Sequence, residues 1–118
     1  MSDEVIIWFN PSCSKCRGAR DLLGGEGVAC SLVRYLDESP SRAELVRVMG
    51  LLGIDDPRQM MRTGEAVYKE LGLAGAGPEG LLDAMAAHPI LIERPIVIRG
   101  DRAVIGRPPE RALELLDS

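Results

Sequence analysis

The sequence is short of several features that would assign a chain to a broad class of proteins. In its 118 residues, no apolar run approaches the roughly 20 that a membrane-spanning helix needs. The net charge of −4 argues against a general nucleic-acid-binding protein. Only 3% of the residues are aromatic, so we expect a core of aliphatic side chains and methionine. The three cysteines are too few, and odd in number, for a disulfide framework, which favours working thiols.

The first residues also lack the basic start of a signal peptide. They are acidic at Asp3 and Glu4, so we expect a cytoplasmic protein whose cysteines stay mostly reduced. The length fits one domain spanning residues 1–118 around one core. We further expect a monomer that binds neither nucleic acid nor a membrane.

Arginine is abundant where lysine is scarce, because 12 of the 14 basic residues are arginine. A coding bias would produce this composition. Alternatively, some positions need the planar, forked guanidinium that binds an oxyanion through paired hydrogen bonds. The composition alone leaves both explanations open.

The most informative segment is the junction between an apolar run and a pair of cysteines. The run Val5–Phe9 is typical of a buried strand, and Asn10-Pro11 follows as a turn signal. The next residues have helical spacing, so Cys13 is placed where a strand ends and a helix begins. Unpaired backbone N–H groups and the positive end of the helix dipole favour a thiolate at such a position.

Cys16 follows Cys13 at CxxC spacing, so both sulfurs can lie on one face of the first helical turn. A pair of small core residues is the alternative, but the position at a helix start makes it the weaker explanation. CxxC pairs serve redox enzymes, redox sensors and metal sites. A zinc site from Cys13, Cys16, Cys30 and His88 matches no usual ligand spacing, so we expect no metal.

Strand and helix signals alternate along the chain and predict an α/β fold. The order is β-α-β, a block of helices and then β-β-α, which indicates a thioredoxin-like mixed sheet with a helical insertion. The first two strands should be parallel, because a helix connects them. Strands are predicted at Val5–Phe9, Cys30–Tyr35, Ile96–Arg99 and Ala103–Ile105, and helices at 14–23, 41–52, 57–62, 65–71, 78–87 and from Pro108 onward.

Local signals predict where several of these elements begin and end. Ser41 and Glu44 have the spacing of a capping box at a helix start. The glycines in residues 24–27 are expected to stop the first helix. Gly100-Asp101 is expected to form the hairpin turn between the last two strands.

Separate strings along nearly the whole chain carry a resemblance to a known family. The loop Asn10-Pro11-Ser12-Cys13 matches an Asn-Pro-x-Cys motif, and residues 88–97 are close to a diagnostic string. Further matches are Tyr35-Leu36, Ser41–Leu45, Met60-Met61-Arg62, Glu70–Leu73 and Gly106-Arg107-Pro108. On these strings, the chain resembles the small arsenate reductases that work with glutathione and glutaredoxin.

The resemblance implies which residues form the active site. The catalytic cysteine would be Cys13, and the arginines that bind the oxyanion would be Arg62, Arg94 and Arg107. Pro95 looks like the proline that faces the active cysteine in thioredoxin-like folds, and we therefore expect a cis bond before it. Only about 5% of X-Pro bonds in folded proteins are cis, so this expectation is specific.

The resemblance also implies a reaction and its partners. In that family the cysteine attacks arsenate, and a second thiol then releases arsenite and leaves the cysteine in a disulfide. Glutathione is the second thiol, and glutaredoxin reduces the mixed disulfide by exchange. We therefore expect glutathione as a co-substrate, glutaredoxin or thioredoxin as a partner, and no bound cofactor.

Two residues depart from the family pattern. Phe9 stands where the family often has histidine, so the helix start and the arginines would have to activate Cys13. Cys16 stands where the family often has serine, which opens a route in which Cys16 resolves the adduct on Cys13.

The second cysteine keeps two other functions open. CxxC at this point also resembles the related Spx-type transcription regulators, which bind RNA polymerase, so a redox-sensing regulator is one alternative. The other is a general thiol–disulfide oxidoreductase, whose arginines would bind another oxyanion or the carboxylates of glutathione.

Five further residues carry expectations of smaller consequence. Asn10 is either a turn residue or one that orients the thiol loop. Cys30 is expected to be an inert core thiol, and His88 to cap or pack rather than to catalyse. Lys15 and Arg17 are expected to be exposed and to contribute to the local potential at most.

Overall fold

The computed structural model describes residues 4–116, and its elements occur in the order that the sequence predicts. The α/β order β-α-β, helices and β-β-α is therefore confirmed. The strands are β1 (Val5–Trp8), β2 (Cys30–Val33), β3 (Ile96–Arg99) and β4 (Arg102–Ile105), and the α-helices are α1 (Ser14–Gly25), α2 (Arg42–Leu52), α3 (Ala66–Glu70) and α4 (Pro78–Ala87). Short 3₁₀ segments occur at Pro57–Met60, Leu73–Gly75 and Pro89–Leu91, and a longer one at Pro109–Leu116.

The strands form a mixed sheet in the order β2-β1-β3-β4. Strands β1 and β2 are parallel, as predicted, whereas β3 is antiparallel to both β1 and β4. Trp8 lies opposite Ile96, and Ile96 lies opposite Ile105. The loop after β1, the segment before β3 and the segment after β4 therefore meet at one end of the sheet.

The chain divides into two compact units. The sheet unit comprises Met1–Tyr35 and Arg94–Ser118, and it contains all four strands, α1 and Pro109–Leu116. The helical unit comprises Leu36–Glu93 and contains α2, α3 and α4. The single domain expected for residues 1–118 stays a prediction.

The core of the sheet unit lies between the sheet, helix α1 and the segment Pro109–Leu116. The helix contributes side chains that recur every three or four residues, which is the spacing of one helical face. Phe9 is the only aromatic member among the described residues, so this core is largely aliphatic, as the composition predicts. The core residues are Val5, Ile7, Phe9, Cys13, Cys16, Ala19, Leu23, Val97, Val104, Ala112 and Leu115.

The helical unit begins with the predicted capping box. The N–H of Glu44 donates to Ser41 Oγ at 3.1 Å, and the N–H of Ser41 donates to Glu44 Oε1 at 3.1 Å. Two orphan donors at the start of α2 are satisfied in this way. Arg42 then connects α2 to α4 through a hydrogen bond of 2.7 Å to Asp83 Oδ1 and an ion pair with Glu79.

Helix α1 is longer than predicted, because its glycines do not stop it where expected. The helix continues through Gly25, and the left-handed residue that ends the turn is Gly27, with φ of 78°. A glycine inside a helix costs about 1 kcal/mol relative to alanine but does not forbid the helix. The prediction that the helix ends at Leu23 was therefore wrong by two residues.

Three other boundaries differ from prediction. The helix expected at 57–62 is a 3₁₀ turn that ends at Met60, because Met61 pairs with Ile92 in an isolated β-bridge. Strand β2 ends at Val33 rather than at residue 35. The last helix begins at Pro109 and is 3₁₀ in the described residues.

No helix within residues 4–116 combines the length and apolar character needed to cross a membrane. The cytoplasmic location and the monomeric state stay predictions.

Candidate active site

The loop before α1 holds Cys13 at the junction of strand and helix, as predicted. Cys13 is the residue before the first helical turn, with φ of −94° and ψ of 119°. The side-chain oxygen of Asn10 accepts a hydrogen bond from the N–H of Ser12 at 3.0 Å. The backbone carbonyl of Asn10 accepts one from the N–H of Cys13 at 2.9 Å. Asn10 thus folds the loop back on itself and fixes the backbone that carries the thiol.

Arg94 supplies a cation to the sulfur of Cys13. Its Nε donates a hydrogen bond to Cys13 Sγ at 3.2 Å, although the two residues are 81 apart in sequence. The peptide bond between Arg94 and Pro95 is cis, which is the geometry that the resemblance implied. The cation that Phe9 cannot provide therefore comes from the segment before β3.

The surroundings of Cys13 favour its thiolate. Burial alone would raise the pKa of Cys13, but the N–H of Cys16, the thiol of Cys16, Arg94 and the N–H of Lys15 together lower it below its ordinary value. In the described chain, the sulfur of Cys13 makes no close capping hydrogen bond to the helix backbone. The N–H groups therefore act as dipoles, and the direct contact is the one from Arg94.

Cys16 has the opposite character from Cys13. Burial raises the pKa of Cys16 to about 12, and the charge on Cys13 adds to the rise, whereas the N–H of Asn10 opposes it. Cys16 is 0% exposed and Cys13 is 7% exposed, which is the order expected of a shielded and an attacking thiol. Cys16 lowers the pKa of Cys13 and Cys13 raises the pKa of Cys16, so each thiol influences the ionisation of the other.

Arg107 lies beside Arg94 at the end of the hairpin. Its Nη1 donates to the carbonyl oxygen of Arg94 at 3.1 Å, and its side chain is exposed. Gly106, which precedes it, donates its N–H to the carbonyl of Pro95 at 2.8 Å. The sheet unit thus brings Cys13, Arg94 and Arg107 to the same end of the sheet.

Arg62 belongs to the helical unit. Its Nη1 is 2.6 Å from Glu65 Oε1, and its N–H donates to the carbonyl of Leu91 at 2.7 Å. About a quarter of each side chain of the ion pair is exposed, at 26% and 25%. The role of Arg62 in binding an oxyanion stays a prediction.

Phe9 is part of the core of the sheet unit and has no ionisable group. Its side chain is buried, and the guanidinium carbon of Arg20 lies 5.4 Å from the centre of its ring. Phe9 also lines a cavity of about 170 Å³. Its lining combines apolar side chains with one cation and consists of Phe9, Pro11, Leu32 and Arg34.

The burial of individual side chains bears on three further expectations. Arg17 is exposed, as expected, and donates to the carbonyl of Pro11 at 2.7 Å, whereas Lys15 is half-buried, so the prediction of its exposure was wrong. Cys30 is half-buried at the start of β2, and burial raises its pKa, which suits an unreactive thiol.

His88 does not pack, because its side chain is exposed. Its backbone ends helix α4 and begins the next 3₁₀ turn. Within residues 4–116, no group of three or more His, Cys, Asp or Glu side chains is arranged to hold a metal ion.

Gly106 is a residue at this site whose contact the sequence does not predict. In the sequence it stands out only as part of the string Gly106-Arg107-Pro108. The contact between Gly106 and Pro95 could have been found by counting outward from the turn at Gly100. The register that pairs Ile96 with Ile105 places Gly106 opposite Pro95.

Comparison with known proteins identifies the family. Residues 8–115 match the model of the ArsC family. The arsenate reductase of Haemophilus influenzae is 48% identical over 115 residues, which cover 96% of this chain and 99% of that protein. The arsenate reductase of Neisseria meningitidis serogroup A is 45% identical over 109 residues, which cover 91% of this chain and 93% of that protein.

Solved structures agree with this match. A structure of an arsenate reductase from Vibrio cholerae superimposes with a TM-score of 0.93 at 46% identity, covering 97% of this chain and 98% of that one. A putative arsenate reductase from Yersinia pestis gives a TM-score of 0.90 at 46% identity, covering 94% and 99%. With its mixed sheet, the thiol at the start of α1 and these relatives, the chain belongs to the ArsC family and has a thioredoxin-like fold.

Proposed function

We propose that the protein is an oxidoreductase that reduces arsenate to arsenite, with Cys13 as the nucleophile. The observation that carries this proposal is the hydrogen bond of 3.2 Å from Arg94 Nε to Cys13 Sγ. A thiolate is the reactive form of cysteine, and a guanidinium beside it both stabilises that form and attracts an anionic substrate. The relatives named as arsenate reductases support the same substrate.

The arginines would hold the tetrahedral oxyanion while the thiolate approaches. Arg94 Nε is at the sulfur, so an anion that binds next to the sulfur lies within reach of the same guanidinium. Arg107 lies beside the carbonyl of Arg94 and can contribute a second fork. Arg62 is proposed as the third ligand on the strength of the family resemblance.

The proposed chemistry has two steps. Cys13 Sγ first attacks arsenic, so that a sulfur–arsenic bond forms and one arsenate oxygen leaves as water after protonation. A second thiol then attacks Cys13 Sγ, and the electron pair of the sulfur–arsenic bond stays on arsenic. Arsenic is thereby reduced from As(V) to As(III), two thiols are oxidised to a disulfide, and arsenite leaves.

The second thiol has two candidate sources. Glutathione is one, with glutaredoxin reducing the mixed disulfide afterwards. Cys16 is the other, because it lies three residues after Cys13 at the start of α1 and lowers the pKa of Cys13. The high pKa of Cys16, about 12, makes it a poor first nucleophile, so Cys16 would act second and only after Cys13 carries arsenic.

An assay of arsenite formation tests the proposed function. Purified protein is incubated with arsenate and with glutathione, glutathione plus glutaredoxin, or thioredoxin and its reductase, and arsenite is quantified. We expect arsenite with glutathione and glutaredoxin, and none when the thiols are omitted under multiple-turnover conditions. No arsenite with any of these reductants would contradict the proposal.

Mass spectrometry separates the two sources of the second thiol. After one turnover with arsenate and without glutathione, a Cys13–Cys16 disulfide makes the protein two hydrogens lighter, and Cys16→Ser cannot lose them. We expect Cys16→Ser to keep glutathione-dependent activity and to lose thioredoxin-dependent activity. Arsenite released with both thiols still reduced would exclude the intramolecular route.

The CxxC spacing of Cys13 and Cys16, together with their opposite pKa shifts, also favours a second candidate function, a general thiol–disulfide oxidoreductase or redox sensor. Such a protein would form the Cys13–Cys16 disulfide with a disulfide or peroxide oxidant in the absence of arsenate. The arsenite assay distinguishes the functions, because only a reductase of arsenate forms arsenite, whichever thiol acts second.

A further inference from the structure

Gly106 lies so close to Pro95 that no side chain fits between them. A Cβ atom built on Gly106 would be 2.9 Å from Pro95 Cγ and 3.6 Å from Pro95 Cδ. Both residues are buried, and the N–H of Gly106 donates to the carbonyl of Pro95 at 2.8 Å. The backbone of Gly106 is outside the left-handed region, so space, and not conformation, requires glycine here.

This contact lies between the two arginines that the sheet unit brings together. Pro95 follows Arg94 directly in the chain, and Gly106 precedes Arg107 directly. Arg107 Nη1 also donates to the carbonyl of Arg94 at 3.1 Å. The separation of Pro95 and Gly106 therefore sets the separation of the two backbone segments from which both guanidiniums extend.

We propose that Gly106 is a positioning residue for the thiolate site, acting through Pro95 on Arg94 and through its own backbone on Arg107. The part of this inference that concerns arsenate rests on the proposed function, whereas the part that concerns the ionisation of Cys13 does not. Gly106 itself touches neither the thiol nor a substrate in this account.

Neither side of the contact between Gly106 and Pro95 is a flexible side chain. The ring of Pro95 closes on its own backbone, so a methyl group at position 106 moves that backbone or the end of β4 rather than a flexible side chain. Arg94 Nε is 3.2 Å from Cys13 Sγ, and a hydrogen bond weakens steeply when the distance or angle departs from its optimum. A shift of a few tenths of an ångström is therefore felt at the sulfur.

The test compares Gly106→Ala with Gly24→Ala. Gly24 lies in α1 of the same unit, and a Cβ built there meets nothing within 4 Å, so the control adds the same methyl group in open space. The rate of iodoacetamide alkylation of Cys13 is measured against pH by peptide mass spectrometry. Circular dichroism and thermal unfolding verify that each variant is folded.

We expect the pKa of Cys13 to rise in Gly106→Ala by about half a unit or more, which means about a threefold loss of thiolate below the pKa. The Gly24→Ala profile should match that of the wild type. A folded Gly106→Ala protein with a wild-type pH profile would overturn the proposal, since a merely structural glycine changes thermal stability and not the thiol.

A second variant keeps the test decisive if Gly106→Ala folds poorly. The double variant Gly24→Ala/Gly106→Ala carries an alanine in α1 that favours the helix, and it is measured against Gly24→Ala alone. Arsenite formation forms a separate readout. If Cys13 has the same pKa in the double variant and in Gly24→Ala, the positioning role is overturned. Absence of arsenite formation in the wild type overturns only the proposed function.

Discussion

Arg58 of the helical unit and Arg94 of the sheet unit show two different uses of the same side chain. Arg58 donates to the hydroxyl of Tyr68 at 3.0 Å and to the carbonyls of residues 73, 74 and 76 at 2.8, 3.1 and 2.8 Å. Arg94 instead donates to the sulfur of Cys13. The first arginine satisfies backbone carbonyls and fixes a loop, whereas the second favours a reactive ionisation state.

The two units also differ in net charge. Leu36–Glu93 contains ten acidic and five basic residues, whereas the sheet unit contains eight acidic and nine basic ones. The net charge of −4 therefore averages two unlike regions. Cys13 lies in the unit without an excess of negative charge, where an approaching oxyanion would be repelled less.

The largest expected effect is that of removing the sulfur from the sheet unit. Cys13→Ser should abolish arsenate reduction, because a hydroxyl is not appreciably ionised near neutral pH and cannot replace the thiolate. Arsenite formation with glutathione and glutaredoxin measures the effect. Cys30→Ser serves as the matched control and should keep the wild-type rate, and substantial activity in Cys13→Ser would remove Cys13 from the mechanism.

The next effect compares the two arginines directly. Arg94→Lys keeps the charge but loses the fork, so kcat/KM for arsenate should fall by well over tenfold, which is more than about 1.4 kcal/mol. Arg58→Lys makes the same change at the loop and should lower thermal stability while leaving kcat/KM close to the wild-type value. Equal kinetics for Arg94→Lys and the wild type would show that Arg94 does not bind the substrate.

The pH dependence of Cys13 sharpens the same comparison. The folded chain lowers the pKa of Cys13, so the thiolate is present above that pKa and is lost as the pH falls through it. In Arg94→Ala the thiolate of Cys13 should be lost at a pH that is higher than in the wild type by up to about one unit. Alkylation of Cys13 measured against pH checks this, with Cys30 in the same protein as the internal standard that should not move.

A smaller effect is expected from the helical unit's own candidate ligand. Arg62→Ala should raise KM for arsenate several-fold but leave the pH profile of Cys13 alkylation unchanged, because Arg94 is the guanidinium that donates to the sulfur. Glu65→Ala is the control for loss of the ion pair alone. An unchanged KM in Arg62→Ala would exclude Arg62 from substrate binding.

The smallest effect on activity should come from the cap of α2. Ser41→Ala removes the side chain that accepts from the N–H of Glu44 and should cost about 1 kcal/mol of stability. Thermal or denaturant unfolding measures the loss. The alkylation rate of Cys13 should not change, and a change there would mean that the stability of the helical unit influences the thiol.

The features predicted correctly from sequence depend on local rules. Ser41 and Glu44 cap α2 because the box needs only residues three apart, and the turn at Gly100 needs only a left-handed residue, with φ of 58°. The position of Cys13 before α1 follows from an apolar run, a turn signal and a helical pattern in succession. Such signals are complete within about ten residues of sequence.

The features that the sequence did not predict depend on residues far apart in the chain. The helix expected through Arg62 stops early because Met61 pairs with Ile92, and the pattern of residues 57–62 contains no trace of that partner. Gly106 is constrained by Pro95 only once the hairpin has formed. The resemblance named the candidate arginines, but the contact of Arg94 with Cys13 required the fold.

The most direct test of the account is a single turnover with both products counted in one sample. Protein, arsenate and glutathione are mixed so that each protein can react once, the reaction is quenched with acid, and arsenite and the oxidation state of Cys13 are measured together. We expect the amount of arsenite to equal the amount of Cys13 found in a disulfide, with either glutathione or Cys16 as its partner. Arsenite formed while Cys13 remains a free thiol, or Cys13 oxidised without arsenite, would contradict it.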